Sequence, residues 1–244
     1  MENRWHEIWD NRKSNLQEID FNDEQALILE LKRIIGLDAL GKGSAIAFSE
    51  IRDEYEDLKN HLQIKNSEQG GSVFEVGVGS GANLYFFRKE GFAVGGADYS
   101  EKLLEITKEV IGVENLIECI HCEASEIPTD IKYDAVFAAG VFQYFKDIAY
   151  VEEVLDRMLM KAKSSLAVIR VPAWETKEEF LKYRRAQNKN YDEMYKDTPH
   201  LFISKKFFTE YAKKHNLTYK FAHHYIKNFW NNDFIFNCFL YKND

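Results

Sequence analysis

The feature that most constrains the fold of this chain is a regular alternation of apolar and amphipathic runs between residues 72 and 171. The apolar runs have the length of strands, and the runs between them carry apolar residues at helical spacing. The predicted strands are 72–76, 92–97, 116–121, 133–138 and 165–171. Strands that alternate with helices predict an α/β fold, in which a mostly parallel sheet is covered by helices on both faces.

Both flanks depart from this alternation. Residues 1–65 carry amphipathic helical patterns and are expected to form an N-terminal helical lid region. Residues 173–203 are polar and aromatic, and are predicted to be a substrate-side insertion over the sheet edge. Residues 204–244 predict a helix capped by Ser204 and then two extended runs that pair as an antiparallel hairpin. With a core at 70–172, the chain is expected to be a single domain.

Composition excludes several classes of function. Acidic residues outnumber basic ones by 40 to 32, which gives a formal charge of −8, so nucleic acid is not expected as a partner. No apolar run reaches the length of a membrane span, and the N-terminus lacks the apolar core of a secretory signal. A cytoplasmic protein with reduced thiols is therefore expected.

A CxxC pattern is formed by Cys119 and Cys122 on the third predicted strand. Side chains three positions apart on a strand face opposite ways, so the pair cannot share a metal ion. No metal site is expected, and buried thiols are the better interpretation.

The junction after the first predicted strand has the sequence E-V-G-V-G-S-G, residues 75–81. Gly77, Gly79 and Gly81 permit positive φ angles and allow the backbone to approach a ligand closely. Amide groups just before a helix also bind anionic groups. The same spacing satisfies the dinucleotide fingerprint, so the loop alone predicts either a nucleotide-type ligand or only a tight turn.

Acidic and small residues follow the next predicted strands. Asp98 ends the second strand, where a carboxylate can accept hydrogen bonds from ribose hydroxyls, and Ser100 follows as a candidate helix cap. Glu123 and Ala124 follow the third strand, and Gly140 follows the fourth. Open α/β sheets bind ligands at the C-terminal ends of their strands, so these residues are expected to surround one site.

In this order, E-V-G-V-G-S-G, G-A-D-Y-S, C-E-A-S-E-I-P and Y-D-A-V-F-A-A-G-V-F-Q-Y resemble the motifs of class I S-adenosylmethionine (SAM)-dependent methyltransferases. The resemblance covers residues 70–172. It implies a Rossmann-like, seven-stranded sheet with a C-terminal antiparallel hairpin, and SAM as the cofactor. The implied contacts are Glu75, Gly77, Gly79 and Gly81 with the methionine moiety, Asp98 at the ribose, Tyr99, Glu123 and Ala124 at the adenine, and Gly140 at the sulfonium. Ser100 is a further candidate for cofactor binding. The family more often has Asp in place of Glu123, which leaves a longer or water-mediated adenine contact as an alternative.

The N-terminus places Trp5, Trp9 and Arg12 at helical spacing. This pattern resembles the helix that closes over the cofactor in small-molecule methyltransferases, some of which act in surface-polysaccharide or modified-sugar pathways. Trp9 and Arg12 are therefore candidate cofactor-binding residues. Simple packing of the helix onto the domain is the alternative for the tryptophans.

Candidates for acceptor chemistry lie outside the cofactor motifs. Tyr144 and His200 are candidate general bases, which a hydroxyl acceptor requires. Arg184 and Arg185 can form a clamp for a phosphate or carboxylate. His223 is a candidate substrate-binding residue, and its neighbour His224 would point to the other face of the strand. The alternatives are structural histidines and a solvated helix face for the arginines.

The sequence therefore predicts SAM-dependent methyl transfer to a small polar metabolite, at a sugar hydroxyl or at a phosphoryl or carboxyl oxygen, in a carbohydrate or capsule-type pathway. An NAD-dependent oxidoreductase would use the same glycines and Asp98, but it gives no role to Glu75 or to the terminal hairpin. A non-catalytic SAM-binding partner subunit is the third hypothesis. The identity of the acceptor and the oligomeric state stay open.

Overall fold

The computed structural model describes residues 4–37, 46–64, 68, 70–223, 226–227 and 229–243. The strands in this part of the chain are β1 Ser72–Val76, β2 Ala93–Asp98, β3 Leu116–His121, β4 Tyr133–Ala139, β5 Ala162–Pro172, β6 Leu217–His223 and β7 Ile235–Lys242. They form one seven-stranded sheet in the order β3-β2-β1-β4-β5-β7-β6. Strands β1 to β5 pair in parallel, whereas β7 runs antiparallel to both β5 and β6. The predicted Rossmann-like sheet with its C-terminal antiparallel hairpin is confirmed.

Helices cover both faces of this sheet. They are α1 Arg4–Asp10, α2 Glu24–Ile34, α3 Phe48–Leu62, α4 Ala82–Lys89, α5 Glu101–Ile111, α6 Ile148–Lys161, α7 Lys177–Gln187, α8 Tyr191–Met194 and α9 Lys205–Lys214. Ser100 and Ser204 each accept a hydrogen bond from a first-turn amide of the following helix, so the predicted caps of α5 and α9 are confirmed.

The core consists of two apolar layers separated by the sheet. Neighbouring residues of a strand point to opposite faces, so Val73 packs with α2 to α5 while Phe74 packs with α6 and α9. Every residue of β1 is buried, as expected for the centre of a doubly covered sheet. The burial of both faces explains why the strands appear in the sequence as continuous apolar runs.

Several boundaries differ from the predicted ones. Helix α1 ends at Asp10, so Arg12 lies beyond it in a turn in which its amide donates to the Trp9 carbonyl. Strand β5 begins at Ala162 because this residue pairs with Tyr133 directly after α6, without an intervening loop. Strand β6 ends at His223.

Residues 173–203 fold mainly as α7 and α8 beside the end of the sheet. They form a small apolar cluster in which the Phe180 ring lies 5.1 Å from Phe202 and 5.7 Å from Trp230. Trp230 belongs to the segment between β6 and β7, so the insertion packs on the connection that leads into β7. Among the described helices, none has the combination of length and apolar character that crossing a membrane requires.

Candidate functional site

A cavity of about 470 Å³ lies at the C-terminal ends of β1, β2, β4 and β5. Its walls come from the glycine loop after β1, the loops after β2 to β4, helix α1 and the segment before β7. Its volume falls in the range of small-ligand sites. The position is the one predicted from the strand order, because the chain direction across the sheet reverses between β1 and β4.

The glycine loop forms the floor of this cavity. Gly77, Gly79 and Gly81 all have positive φ angles, between +58° and +79°. At Gly77 an added Cβ would lie 2.5 Å from Cγ2 of Val141, so the loop after β1 and the loop after β4 touch at this point. Position 77 therefore requires glycine both for its positive φ angle and for lack of space for a Cβ. A tight turn with no chain segment packed against it would require only the φ angle.

Glu75 is buried beneath the loop at the end of β1. Its Oε1 accepts a hydrogen bond of 2.6 Å from Asn83 Nδ2, and Asn83 Oδ1 accepts one of 2.8 Å from Lys32 Nζ. Burial raises the pKa of Glu75 and lowers the pKa of Lys32. Glu75 Oε2 is also buried and has no hydrogen-bond partner among the described residues, so it can accept from a ligand in the cavity.

Asp98 holds the loop from the neighbouring strand. Its Oδ2 accepts the amide N–H of Gly79 at 2.8 Å, and its Oδ1 accepts that of Ser100 at 2.9 Å. Burial raises the pKa of Asp98 to about 6 despite these hydrogen bonds. Ser100 itself is fully buried as the cap of α5 and does not line the cavity.

The far end of the cavity, beyond β2, is aromatic and acidic. The His6 ring stacks on Tyr99 with centroids 4.0 Å apart, and its Nε2 lies 3.1 Å from Glu123 Oε1. Tyr150 donates a hydrogen bond of 3.2 Å to the other oxygen of Glu123. Ala124 lines the same end. A histidine of α1 thus makes the stacking and carboxylate contacts that the resemblance assigns to adenine.

Helix α1 covers the cavity through its tryptophans. The Trp5 ring lies 4.6 Å from that of Tyr144, and Trp9 meets the same tyrosine edge-on at 5.3 Å. Arg12 does not line the cavity; its guanidinium lies 4.8 Å from the Trp9 ring. The predicted lid therefore has its tryptophans in the cavity wall, while Arg12 supports Trp9 from behind.

Several residues predicted for acceptor chemistry lie outside the cavity lining. His200 is packed on Trp5 with ring centroids 5.4 Å apart, and burial lowers its pKa to about 4. The Arg184 guanidinium lies 5.0 Å from the Trp230 ring, and exposed Arg185 pairs with Asp192 at 3.0 Å. Both arginines therefore make contacts that stabilise the insertion and do not face the cavity.

Two further predicted residues have other placements. Gly81 caps α4, and Thr107 occupies the space that a Cβ there would need, so it shapes the loop from outside the cavity. His223 is exposed at the end of β6, opposite Phe236 of β7. His224 lies outside the described residues.

Arg170 was missed by the sequence analysis and lies at the end of β5, against the cavity. Its φ is +60° within an irregularity of the β5–β7 pairing, and its amide donates to Asn237 Oδ1 at 2.9 Å. The residue is 7% exposed, and its Nε lies 3.6 Å from Glu54 Oε1. An arginine within the apolar run 166–172 was the available signal, because charged residues are rarely buried without a role.

The described part of the chain contains neither a disulfide bond nor a cluster of side chains suited to a metal ion. Cys119 and Cys122 are half-buried and Cys238 is buried, and all three are free. Burial raises the pKa of each thiol. No group of three or more histidine, cysteine, aspartate or glutamate residues suited to a metal ion occurs among the described residues.

Comparison with known proteins agrees with this geometry. The sequence model of a family described as a methyltransferase domain matches residues 74–164. No curated protein sequence matches the chain.

Solved structures share the fold at low sequence identity. Magnesium protoporphyrin IX methyltransferase from Synechocystis PCC 6803, with bound S-adenosylhomocysteine (SAH), is 12% identical with a TM-score of 0.58, covering 91% of this chain and 100% of that one. The plantazolicin methyltransferase, in complex with a pentazolic substrate analogue and SAH, is 15% identical with a TM-score of 0.61, covering 92% and 97%. A putative methyltransferase in complex with the Trm112 activator of Haloferax volcanii is 14% identical with a TM-score of 0.57, covering 79% and 91%.

The family match covers the strands that carry Glu75, Asp98, Glu123 and Gly140, and these residues lie at one edge of the sheet around one cavity. An oxidoreductase is not supported by the family match. The chain therefore carries a methyltransferase domain at residues 74–164, in a fold that it shares with solved SAM-dependent methyltransferases.

Proposed function

We propose that this protein transfers the methyl group of SAM to an oxygen of a small polar metabolite. The observation that carries the proposal is the continuity of the cavity, which extends from Tyr99 and Glu123 past the glycine loop to Arg170 at the end of β5. A single space of about 470 Å³ leaves room for only a small acceptor beside a nucleoside cofactor. The acidic balance of the chain also favours a metabolite over a nucleic acid.

The residues present fit SAM. Gly77 forms a cradle that a Cβ would fill, and Glu75 Oε2 is a buried acceptor that the cofactor's ammonium group would satisfy. Asp98 would hold the ribose, and Tyr99 with Glu123 and Ala124 would hold the adenine. In this assignment, Gly140 lies below the sulfonium, and Trp9 closes the lid with the Arg12 guanidinium packed on its ring.

When bound, SAM supplies an electrophilic methyl group on a sulfonium centre. The protein's own contribution is to align the acceptor oxygen with that group and to exclude water, which Trp5, Trp9 and Tyr144 do from the lid side. Burial raises the pKa of Tyr144 to about 12, so this hydroxyl keeps its proton at neutral pH and acts as a hydrogen-bond donor. His200 is neutral at that pH and contacts the lid through Trp5.

The acceptor proposed here is a sugar hydroxyl or a phosphoryl or carboxyl oxygen in a carbohydrate or capsule-type pathway. The aromatic rings of Trp5, Tyr144 and Phe229 line the cavity and suit a ring-shaped organic molecule. In this proposal the whole chain is one domain, and its lid and insertion serve the same cavity. It also places the protein in the cytoplasm, which the free cysteines favour.

The proposal is tested by turnover of methyl-labelled SAM with a panel of sugars, nucleotide sugars and phosphorylated metabolites. We expect SAH and an O-methylated product to form in equal amounts. Gly77→Ala, which fills the cradle, should abolish both. Binding of SAH without methylation of any panel member would instead favour a SAM-binding partner subunit.

A further inference from the structure

The cavity contains a buried cation that the cofactor contacts described above do not use. Arg170 is 7% exposed, and its buried Nε has no hydrogen-bond partner among the described residues. Its nearest carboxylate oxygen is Glu54 Oε1, at 3.6 Å from Nε. A buried guanidinium costs free energy unless oxygens satisfy its five N–H donors. The donors that face the cavity are therefore available for a ligand.

The strand order places Arg170 on the acceptor side of the site. Asp98 ends β2, Glu75 ends β1, Gly140 follows β4 and Arg170 lies near the end of β5, and these strands are neighbours in that order. A Cβ added at Gly140 would lie 3.5 Å from Arg170 Nε, so the guanidinium is next to the glycine assigned to the sulfonium end. Ribose and adenine would lie three to four strands away.

Arg170 shares its carboxylate neighbour with a second basic side chain. Lys32 and Arg170 both lie near Glu54, whose Oε2 is 3.9 Å from Lys32 Nζ. The next carboxyl group is Glu75, which is linked to Lys32 through Asn83; burial raises the pKa of Glu75 and lowers the pKa of Lys32. Lys32 and Arg170 thus share the Glu54 carboxylate, and oxygens of a ligand would satisfy the guanidinium donors that Glu54 leaves open.

We propose that Arg170 binds a carboxylate of the methyl acceptor, so that the substrates of this enzyme are small carboxylic acids. This inference rests on the proposed function, because it assigns the acceptor half of the same cavity. A planar carboxylate matches the part of the guanidinium that Glu54 leaves open. Gln143 and Asn231 line the cavity as well and offer amide groups for the remaining polar atoms of the acceptor.

The test compares matched acids and neutral analogues on the SAH-saturated full-length protein by calorimetry. Glucuronate is paired with glucose, and benzoate with benzamide. We expect the carboxylate of at least one pair to bind the wild type at least about 10-fold more tightly than its neutral partner, as for a hydrogen bond to a charged group. Arg170→Gln should remove that preference, and Arg170→Lys should retain part of it. Arg157→Gln, which changes an exposed arginine of α6, should leave it unchanged.

A second titration separates the two possible sources of a carboxylate. SAH carries one, whereas 5′-methylthioadenosine does not. We expect Arg170→Gln to bind both within about 3-fold of the wild type, which also shows that the variant is folded. Selective weakening of SAH would mean that Arg170 holds the cofactor instead, and would overturn the inference.

The inference also fails if neither acid is preferred by the wild type, or if the preference survives in Arg170→Gln. In both cases the proposed function would stand, provided that the wild type binds SAH and turns over SAM. Failure of the wild type to bind SAH would remove the proposed function and this inference together.

Discussion

The carboxylate of Asp98 accepts a hydrogen bond of 2.8 Å from the backbone amide of Gly79. The side chain expected to receive the cofactor's ribose is therefore also the anchor of the loop that would surround the methionine moiety. The arrangement couples the two halves of the cofactor site, because moving one of these residues moves the other.

Cofactor binding should weaken at acidic pH. Burial raises the pKa of Asp98 to about 6 in the free protein, and ribose hydroxyls donate to the ionised form. Bound cofactor therefore lowers this pKa, so the contribution of Asp98 to the affinity is full above it and falls by about tenfold per pH unit below it. Calorimetry with SAH between pH 5 and 8 measures the slope. Asp98→Asn should bind more weakly at pH 8 and show a flatter profile; equal slopes would assign the titration to another group.

Gly77→Ala should abolish detectable SAH binding. The new Cβ would lie 2.5 Å from Val141 Cγ2, on a backbone with φ of +68°. We expect a loss of about 1–3 kcal/mol in the free energy of unfolding from strain and overlap. Thermal unfolding and calorimetry measure the two effects.

The matched control for this substitution is Gly70→Ala. Gly70 has φ of +76°, but no atom lies within 4 Å of its added Cβ. The Gly70→Ala variant should be less stable than the wild type but should bind SAH with the same affinity. Adding Val141→Ala to Gly77→Ala removes the clashing methyl groups and should recover part of the stability; no recovery would show that backbone strain alone is responsible.

His6→Ala should bind SAH about 3- to 10-fold more tightly, the equivalent of one aromatic stacking contact. His6 stacks on Tyr99 and contacts Glu123, and adenine would need both contacts. Removing the imidazole frees the site before the cofactor arrives. His121→Ala is a suitable control, because His121 contacts the Tyr99 carbonyl from an exposed position. Weaker binding by His6→Ala would show that the imidazole supports the adenine instead of competing with it.

Lys161→Met should destabilise the fold by about 3 kcal/mol, because it leaves the Glu118 carboxylate, whose side chain is only 13% exposed, without its cation. Lys161 is fully buried, and its Nζ lies 2.7 Å from Glu118 Oε2. Urea unfolding measures the change, and Glu118→Gln in the same chain should restore part of it. Lys196→Met breaks an exposed pair with Glu193 and should leave the midpoint of unfolding unchanged.

The core of the fold could be predicted because two independent signals agree there. The continuous apolar character of 72–76 requires burial on both faces, and the glycines after it mark the change from strand to helix. Gly77 and Asp98 follow from this pattern, since strand ends of a parallel sheet meet at one edge. Ser204 was predicted as a cap from its position before an amphipathic run, and it does cap α9.

The acceptor side could not be predicted in the same way. Arg170 reaches the cavity through a positive φ angle and a shift in the β5–β7 register. Neither feature produces a periodic pattern of residues in the sequence. Arg184 and Arg185 were selected for their charge, but their environment depends on Trp230 and Asp192, which the insertion brings to them. The surroundings of a side chain that contacts distant segments of the chain depend on tertiary packing. The local sequence pattern therefore carries little information about them.

The position of β7 between β5 and β6 has a consequence for biosynthesis. Strand β6 is made first, but it cannot join the sheet until residues 235–242 have left the ribosome and paired with β5. Until then the edge of β5 is an open strand that can pair with other chains. The cavity is incomplete during the same interval, because Phe229 and Asn231 reach it only when β7 is in place. Ligand binding can thus protect the finished protein, but not the nascent chain at its most aggregation-prone stage.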